Sequence, residues 1–174
     1  MRSIVLTLCV LSLGLSLPLH AKVGSSTLAE MTEASDVVVV ARVEAVERRF
    51  ILFGARHARA KVLEVWKGTP GPELRFLASP TWTCDIADAE VGETAVLFLV
   101  KEGSEYVLAH AGRGRMPIRQ LGGKPYATIW ADVRLPDPVQ TLPGPEPEFS
   151  SIIRSVAVED LRRLCSAPAP RVTS

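Results

Sequence analysis

The sequence predicts a mainly β protein whose strands curl into a small, closed or partly closed β-barrel with short flanking helices. The strongest indication is the run Val37–Arg48, in which apolar residues recur with period two. A second run, residues 94–100, is apolar at both parities, as expected for a strand that is buried on both faces. Short extended runs separated by Gly and Pro complete the pattern, and 174 residues are enough for one domain rather than two.

The N-terminal segment has the features of a secretory signal. Arg2 precedes the uncharged residues 4–19, which as a helix would span ~24 Å, short of the ~30 Å hydrocarbon core of a membrane. Ala21 supplies the small residue required at a signal-peptidase site. We therefore expect cleavage of residues 1–21 and a periplasmic or secreted mature chain with no membrane span; an uncleaved anchor is the alternative.

A short helix and a long strand open the predicted domain. Thr27 and Glu30 have the spacing of a capping box, which predicts a helix over residues 27–35. The strand Val37–Arg48 follows, and its second face is apolar up to Val40 and polar beyond it. A strand buried on two sides at one end and on one side at the other is typical of a curled sheet.

The next strand, predicted over residues 58–66, changes its apolar face between Val62 and Leu63. The simplest explanation is a β-bulge, which is how small barrels turn corners. Residues 74–78 alternate as a third strand.

Two hairpins are predicted further along the chain. Residues 106–110 return along the buried strand after a short polar gap that contains Gly103. Residues 115–121 and 126–131 flank the dipeptide Gly122-Gly123, which suits a tight turn.

The C-terminal part begins with a Pro-rich crossing segment, residues 132–148, because five prolines exclude a helix or a central strand there. A helical segment packed on the barrel is predicted over residues 149–165. One continuous helix would place Asp160 in the apolar stripe, so we favour a short element ending near Val156 and a helix starting near Val158. Residues 166–174 are predicted to be a flexible tail.

Three segments of the chain resemble a known family. They are Asp36-Val37-Val38-Val39-Val40-Ala41-Arg42-Val43, then Lys61-Val62-Leu63-Glu64-Val65-Trp66-Lys67-Gly68, and then Cys84 followed by Val91-Gly92-Glu93. In order and spacing they are similar to the bacterial exported netrin/TIMP-like (tissue inhibitor of metalloproteinases-like) OB-fold family, over residues 26–131. The resemblance implies an OB-like five-stranded barrel over residues 22–131 and a role in binding rather than catalysis.

The predicted mature start, Lys22-Val23-Gly24, differs from the family's inhibitors. TIMP-type inhibitors resemble one another in an N-terminal cysteine that chelates the protease metal, and this chain has no cysteine there. That inhibitory group therefore does not carry over.

Two cysteines remain after removal of the signal, because Cys9 lies within it. In an oxidising compartment we expect Cys84 and Cys165 to form a disulfide, worth roughly 4–5 kcal/mol on the chain-entropy model. Two unlinked thiols are the alternative, since His110-Ala111-Gly112 occupies the position where the family often has the partner cysteine.

The sequence contains no Gly-x-Ser-x-Gly, His-Glu-x-x-His, Cys-x-x-Cys or P-loop motif. His57 and His110 are interpreted as ordinary loop and strand-end residues rather than as a metal pair or a catalytic base. We therefore predict that the chain is not an enzyme and uses no cofactor and no metal. The densest acidic cluster is predicted to be a solvated loop, with calcium binding as the alternative; it consists of Asp85, Asp88, Glu90 and Glu93.

Three residues are candidates for ligand binding. Arg113 and Arg115 share one face of an extended chain and could receive an anionic group; a charged edge that discourages strand addition is the alternative. Trp82 is the tryptophan expected to be exposed, where it could stack on a sugar or a base. Trp66 and Trp130 lie within predicted strands and are expected to pack in the core.

The charge balance argues against nucleic acid as the main partner, because the chain without its signal has nineteen basic and nineteen acidic residues. We predict an exported, non-catalytic binding module whose partner is an unidentified protein or envelope component. The alternatives are a loop-based peptidase inhibitor and an OB barrel that binds an oligosaccharide or nucleic acid.

Overall fold

The computed structural model of the protein describes residues 24–48, 55–80, 86–144 and 152–166. The predicted signal, Trp82, Cys84 and residues 167–174 of the predicted tail lie outside these ranges.

The described residues form eleven strands and two short helices, so the predicted mainly β class is confirmed. Nine of the strands belong to one continuous sheet, and β1 pairs separately with β9. In chain order the elements are β1 (Ser26–Thr27), α1 (Leu28–Ala34), β2 (Val37–Arg48), β3 (Arg56–Lys67), β4 (Glu73–Leu77), β5 (Thr94–Glu102), β6 (Glu105–Leu108), β7 (Arg115–Leu121), β8 (Lys124–Trp130), β9 (Val133–Arg134), β10 (Leu142–Pro143), β11 (Ile153–Ala157) and α2 (Val158–Ser166).

Five of these strands close into a barrel. They are neighbours in the order β2-β3-β4-β6-β5, and β5 pairs again with β2. All pairs are antiparallel except β4 with β6, which run parallel with Phe76 opposite Tyr106. The predicted OB-like barrel is therefore confirmed. Its last strand ends at Leu108, and β7 and β8 lie outside the closed barrel, although the predicted domain runs to residue 131.

β2 and β5 form a wall that is buried on both sides. Val39 packs into the barrel interior, whereas its neighbour Val38 packs into a second core outside the barrel. This second core combines the outer side of the wall with side chains from β7, β8, β11 and both helices. Residues 95–99 of β5 are fully buried, as their apolar sequence predicts.

Two local predictions are confirmed in detail. The Thr27 hydroxyl accepts a hydrogen bond from Glu30 N at 3.1 Å, and Glu30 Oε2 accepts one from Thr27 N at 2.7 Å, which completes the capping box of α1. The hydrogen bond from the Thr27 backbone lowers the pKa of Glu30. Gly122 and Gly123 have φ of 58° and 78°, so both adopt the left-handed backbone that the tight turn between β7 and β8 needs.

The predicted bulge is present in β3. Val62 lies opposite Ala41, and Glu64 lies opposite the residue just before Ala41, so Leu63 is an extra residue in the register. β3 changes its face at this point, as predicted. Leu63 and Val65 nevertheless remain 53% and 46% exposed, because β4 pairs only with the first half of β3.

The C-terminal segment is a strand followed by a helix. β11 pairs antiparallel with β8, and α2 begins at Val158 with Glu159 and Asp160 in its first turn. The predicted break between a short element and a helix starting near Val158 is therefore confirmed. Residues 153–157 are a strand and not part of one continuous helix. Within the Pro-rich residues 132–148, β9 and β10 are strands of two residues each, and β10 lies at the edge of its sheet.

Candidate binding surface

Arg113 and Arg115, the predicted anion-binding pair, are engaged inside the protein. Arg113 Nε donates to Asp132 Oδ2 at 2.5 Å, and its guanidinium carbon lies 5.7 Å from the ring centroid of Trp130. Arg115 Nη1 donates to Glu93 Oε2 at 2.6 Å. The two arginine side chains are only 12% and 19% exposed, so each is neutralised within the fold rather than presented to a ligand.

The position of β7 explains this outcome. β7 lies between β5 and β8, and its first three residues pair with β5, so Arg115 at its start lies inside the sheet rather than at a free edge. Burial raises the pKa of Glu93, although the neighbouring Arg115 guanidinium opposes the rise. The ion pair between Glu93 and Arg115 joins the loop before β5 to the start of β7.

The tryptophans and histidines of the described residues have mainly structural surroundings. Trp66 and Trp130 pack against the second core, as predicted. His57 is buried in β3, with Nε2 3.2 Å from Glu105 Oε2. His110 belongs to the turn before β7, where its φ is 54°.

The predicted acidic cluster is divided between separate ion pairs. Asp88 pairs with Arg56, and Glu93 pairs with Arg115. Asp85 lies outside the described residues. Within residues 24–48, 55–80, 86–144 and 152–166, the structure brings together no group of three or more His, Cys, Asp or Glu side chains suited to a metal ion.

Cys165 is a buried residue with a free thiol, next to the C-terminal end of α2. Its Sγ accepts a hydrogen bond from Thr32 Oγ1 at 3.5 Å, and burial raises its pKa. It forms no disulfide in the structure, and Cys84 lies outside the described residues. The pairing of these two cysteines therefore stays a prediction.

A cationic surface that was not predicted from the sequence lies on the outer side of β2, β3 and β4 and is here termed the basic face. Arg42 of β2 lies directly opposite Lys61 of β3. Arg59 of β3 lies directly opposite Arg75 of β4. Side chains in such positions share one side of the sheet, with Cβ atoms about 4.5–5.5 Å apart, and like charges there repel each other. The basic face consists of these four residues.

The alternation of β3 places its two cations on the solvent side. Ala58 and Ala60 are fully buried in the barrel core. Arg59 and Lys61 occupy the intervening positions, so their side chains project outward and are exposed. Arg42 likewise follows a fully buried alanine in β2, and its side chain projects outward and is exposed.

The charges of the basic face are poorly compensated by the protein itself. Arg59 Nη1 lies 3.8 Å from Glu73 Oε2, and both side chains are about half exposed, so this ion pair is weak. Glu73 also stands opposite Lys61 in the register of β3 and β4, but among the described residues the other three cations of the basic face form no side-chain ion pair or hydrogen bond. Glu44 and Glu47 are exposed on β2, so the surroundings of the cations are of mixed charge.

A cleft of about 420 Å³ adjoins the basic face. Arg42, Glu44 and Lys61 contribute its charged lining. Leu63 and Val91 contribute apolar lining and are 53% and 64% exposed. We term it the apolar cleft, because these two aliphatic side chains lie in solvent beside the cations.

Backbone hydrogen bonds hold the loop that carries Val91. Gly92 N donates to Val43 O at 2.8 Å, and Val43 N donates to Glu93 O at 2.9 Å. Gly92 has φ 90°, a conformation that strongly favours glycine. Val91 is therefore presented by a loop anchored to β2.

Part of the basic face could have been recognised in the sequence. Arg59 and Lys61 alternate with alanines, which predicts two cations on the solvent side of β3. The partner of Lys61 on β2 could not be identified, because register shifts at Leu63 and Glu44 decide which residues of β2 and β3 are opposite. The partner of Arg59 on β4 depends on the register of the separate β3–β4 pair, which the sequence does not specify.

The two helices have seven and nine residues. In the described part of the chain, no helix combines the length and the apolar character that crossing a membrane requires. Comparison of the chain with protein-family models and with curated proteins found no match to either.

Proposed function

We propose that the protein is an exported, non-catalytic binding module that engages an acidic partner, a protein or an envelope component, through the basic face. The observation that carries the proposal is the two cross-strand positions with like charges, where Arg42 stands opposite Lys61 and Arg59 stands opposite Arg75. Like charges in these positions lower the stability of a sheet. A partner carboxylate placed between two such cations would remove the repulsion and accept charge-assisted hydrogen bonds.

The charges around the basic face favour a partner with separate carboxylates. Glu44, Glu47 and Glu73 lie on the same strands as the cations and would repel a continuous polyanion such as nucleic acid. Neither the basic face nor the lining of the apolar cleft includes an aromatic side chain on which bases could stack.

Export through residues 1–21 and the resemblance to netrin/TIMP-like domains are parts of the same proposal. The five-stranded OB-like barrel supports the resemblance at the level of fold. A fold of this kind hosts many functions, so the binding role rests on the surface chemistry.

Titration of a defined acidic peptide tests the proposal. The probe is Ser-Glu-Ser-Glu-Ser-Ser-Ser, added to isotopically labelled protein at low salt and followed by NMR. We expect the largest amide shifts in β2, β3 and β4, and weaker binding by the double variant Arg42→Gln, Lys61→Gln. The matched control, Arg119→Gln with Lys124→Gln, removes two exposed cations from the β7–β8 hairpin and should bind as the unmodified protein does. Equal weakening by both double variants would reject the basic face as the site.

A further inference from the structure

The basic face and the apolar cleft lie side by side, so together they select a particular kind of acidic segment. We propose that they bind an extended segment of a partner protein with the pattern acidic-x-acidic-x-aliphatic. The two carboxylates bind the cationic pairs, and the aliphatic side chain enters the apolar cleft. This inference rests on the proposed binding function and specifies the ligand chemistry of the same surface.

The spacing along β3 supports this pattern. Arg59 and Lys61 occupy alternate positions of the strand, and both are exposed. Leu63, the extra residue of the bulge, is also exposed and lines the cleft together with Lys61. Alternate residues of a strand are about 6.6–6.8 Å apart. An extended peptide has the same period, so alternate side chains of such a peptide can meet two cations and then the cleft.

Each cation of β3 has a second cation opposite it on a neighbouring strand. Arg75 stands opposite Arg59, and Arg42 stands opposite Lys61. Glu73 stands opposite Lys61 on the β4 side and lies 3.8 Å from Arg59, so the protein itself offsets only part of this positive charge. A carboxylate of a partner placed between the two cations of each pair would offset more of their mutual repulsion.

The apolar cleft supplies the third position. Leu63 and Val91 both expose aliphatic surface there, and covering this surface with an aliphatic side chain removes it from water. Glu44 also lines the cleft and would repel the densely anionic surface of a membrane or a nucleic acid. A protein segment, whose carboxylates are separated by neutral residues, avoids this repulsion.

Two peptides that differ at one position test the inference. They are Ser-Glu-Ser-Glu-Ser-Leu-Ser and Ser-Glu-Ser-Glu-Ser-Ser-Ser, titrated by NMR under identical conditions. We expect the leucine peptide to bind about tenfold more tightly, because one aliphatic side chain is buried. We also expect it to shift the amides of Leu63, Val91 and Gly92. The variant Leu63→Ser should remove this preference for the leucine peptide.

The control variant is Leu121→Ser, which removes an exposed leucine from β7 and should keep the preference. Equal affinities of the two peptides for the unmodified protein would overturn the role of the apolar cleft while leaving the basic face intact. Absence of binding by both peptides would overturn the proposed function itself. Tighter binding of an octathymidylate or of vesicles of phosphatidylglycerol than of the leucine peptide would show that the assigned partner class is wrong.

Discussion

Arg42 of β2 and Lys61 of β3 lie directly opposite each other on the solvent side of the barrel, and neither forms a side-chain ion pair within the described residues. Cross-strand pairs are the unit of sheet stabilisation, so a repulsive pair lowers the stability of the fold. A charge that serves binding and a charge that serves folding can be distinguished by the effect of their removal on stability. Removing the first raises stability and weakens binding, whereas removing the second lowers stability.

The substitution Arg42→Gln should raise the free energy of unfolding by about 0.2–1 kcal/mol, because it removes the repulsion from Lys61. Urea denaturation at low salt measures the gain. The gain should shrink at 1 M salt, where the Debye length is about 3 Å. Arg119→Gln is the control, because Arg119 stands opposite the uncharged Tyr126 and should give no such gain. A loss of stability in Arg42→Gln would show that this cation has a structural role.

The turn before β7 should not tolerate a side chain at Gly112. Its φ is 80°, and a Cβ there would overlap the backbone nitrogen of Ala87. Gly123 has a similar φ of 78° but no atom within 4 Å of such a Cβ. Gly123→Ala should therefore cost only the backbone penalty of about 1–2 kcal/mol, and Gly112→Ala should cost clearly more. Thermal unfolding of the two variants gives the comparison, and equal costs would contradict the close approach of the two loops.

The stability of the protein should depend on the protonation of Glu93. Burial raises the pKa of this carboxyl above its ordinary value of 4.5, so the folded state holds the proton more tightly than the unfolded state. Its contribution is therefore most favourable at acid pH and is lost as the pH rises from 4.5 through the raised pKa. Relative to Glu93→Gln, the unmodified protein should lose stability over this window. Urea denaturation at a series of pH values measures the difference, and an increase with pH would contradict the assigned cause.

The buried thiol of Cys165 should react slowly with alkylating agents in the folded protein, because it is only 7% exposed and its pKa is raised. Complete alkylation after denaturation without reductant, as read by intact mass, would show that Cys165 is a buried free thiol. Alkylation that requires a reductant is the outcome expected from the predicted disulfide between Cys84 and Cys165. The same mass spectrum of protein exported from a bacterial host tests the predicted cleavage before Lys22.

Local signals predicted the elements of the barrel well. The period-two pattern of Val37–Arg48, the capping box at Thr27 and the turn at Gly122 each depend on a few neighbouring residues, and each is present as expected. The change of face at Leu63 was also visible, because it breaks an otherwise regular alternation.

The surface chemistry was harder to predict, because it depends on pairing between distant strands. Arg115 was expected to be available to a ligand, but pairing of β7 with β5 brings it to Glu93, twenty-two residues away in the chain. The basic face has the same origin, since Arg42 and Lys61 meet only through a register that includes bulges. A sequence shows which side chains alternate, whereas their neighbours across strands are decided by the assembled sheet.

Because β2 and β5 contribute side chains to both cores, the barrel and the outer layer, formed by β7, β8, β11 and the two helices, should unfold as one cooperative unit. Detaching the outer layer would leave Val38 and Phe98 without cover, and opening the barrel would do the same to Val39 and Leu97. We therefore expect neither half to have a stable partly unfolded form. The amide protons of residues 95–99 should exchange with solvent only when the whole molecule opens, which makes β5 the slowest-exchanging strand of the described chain.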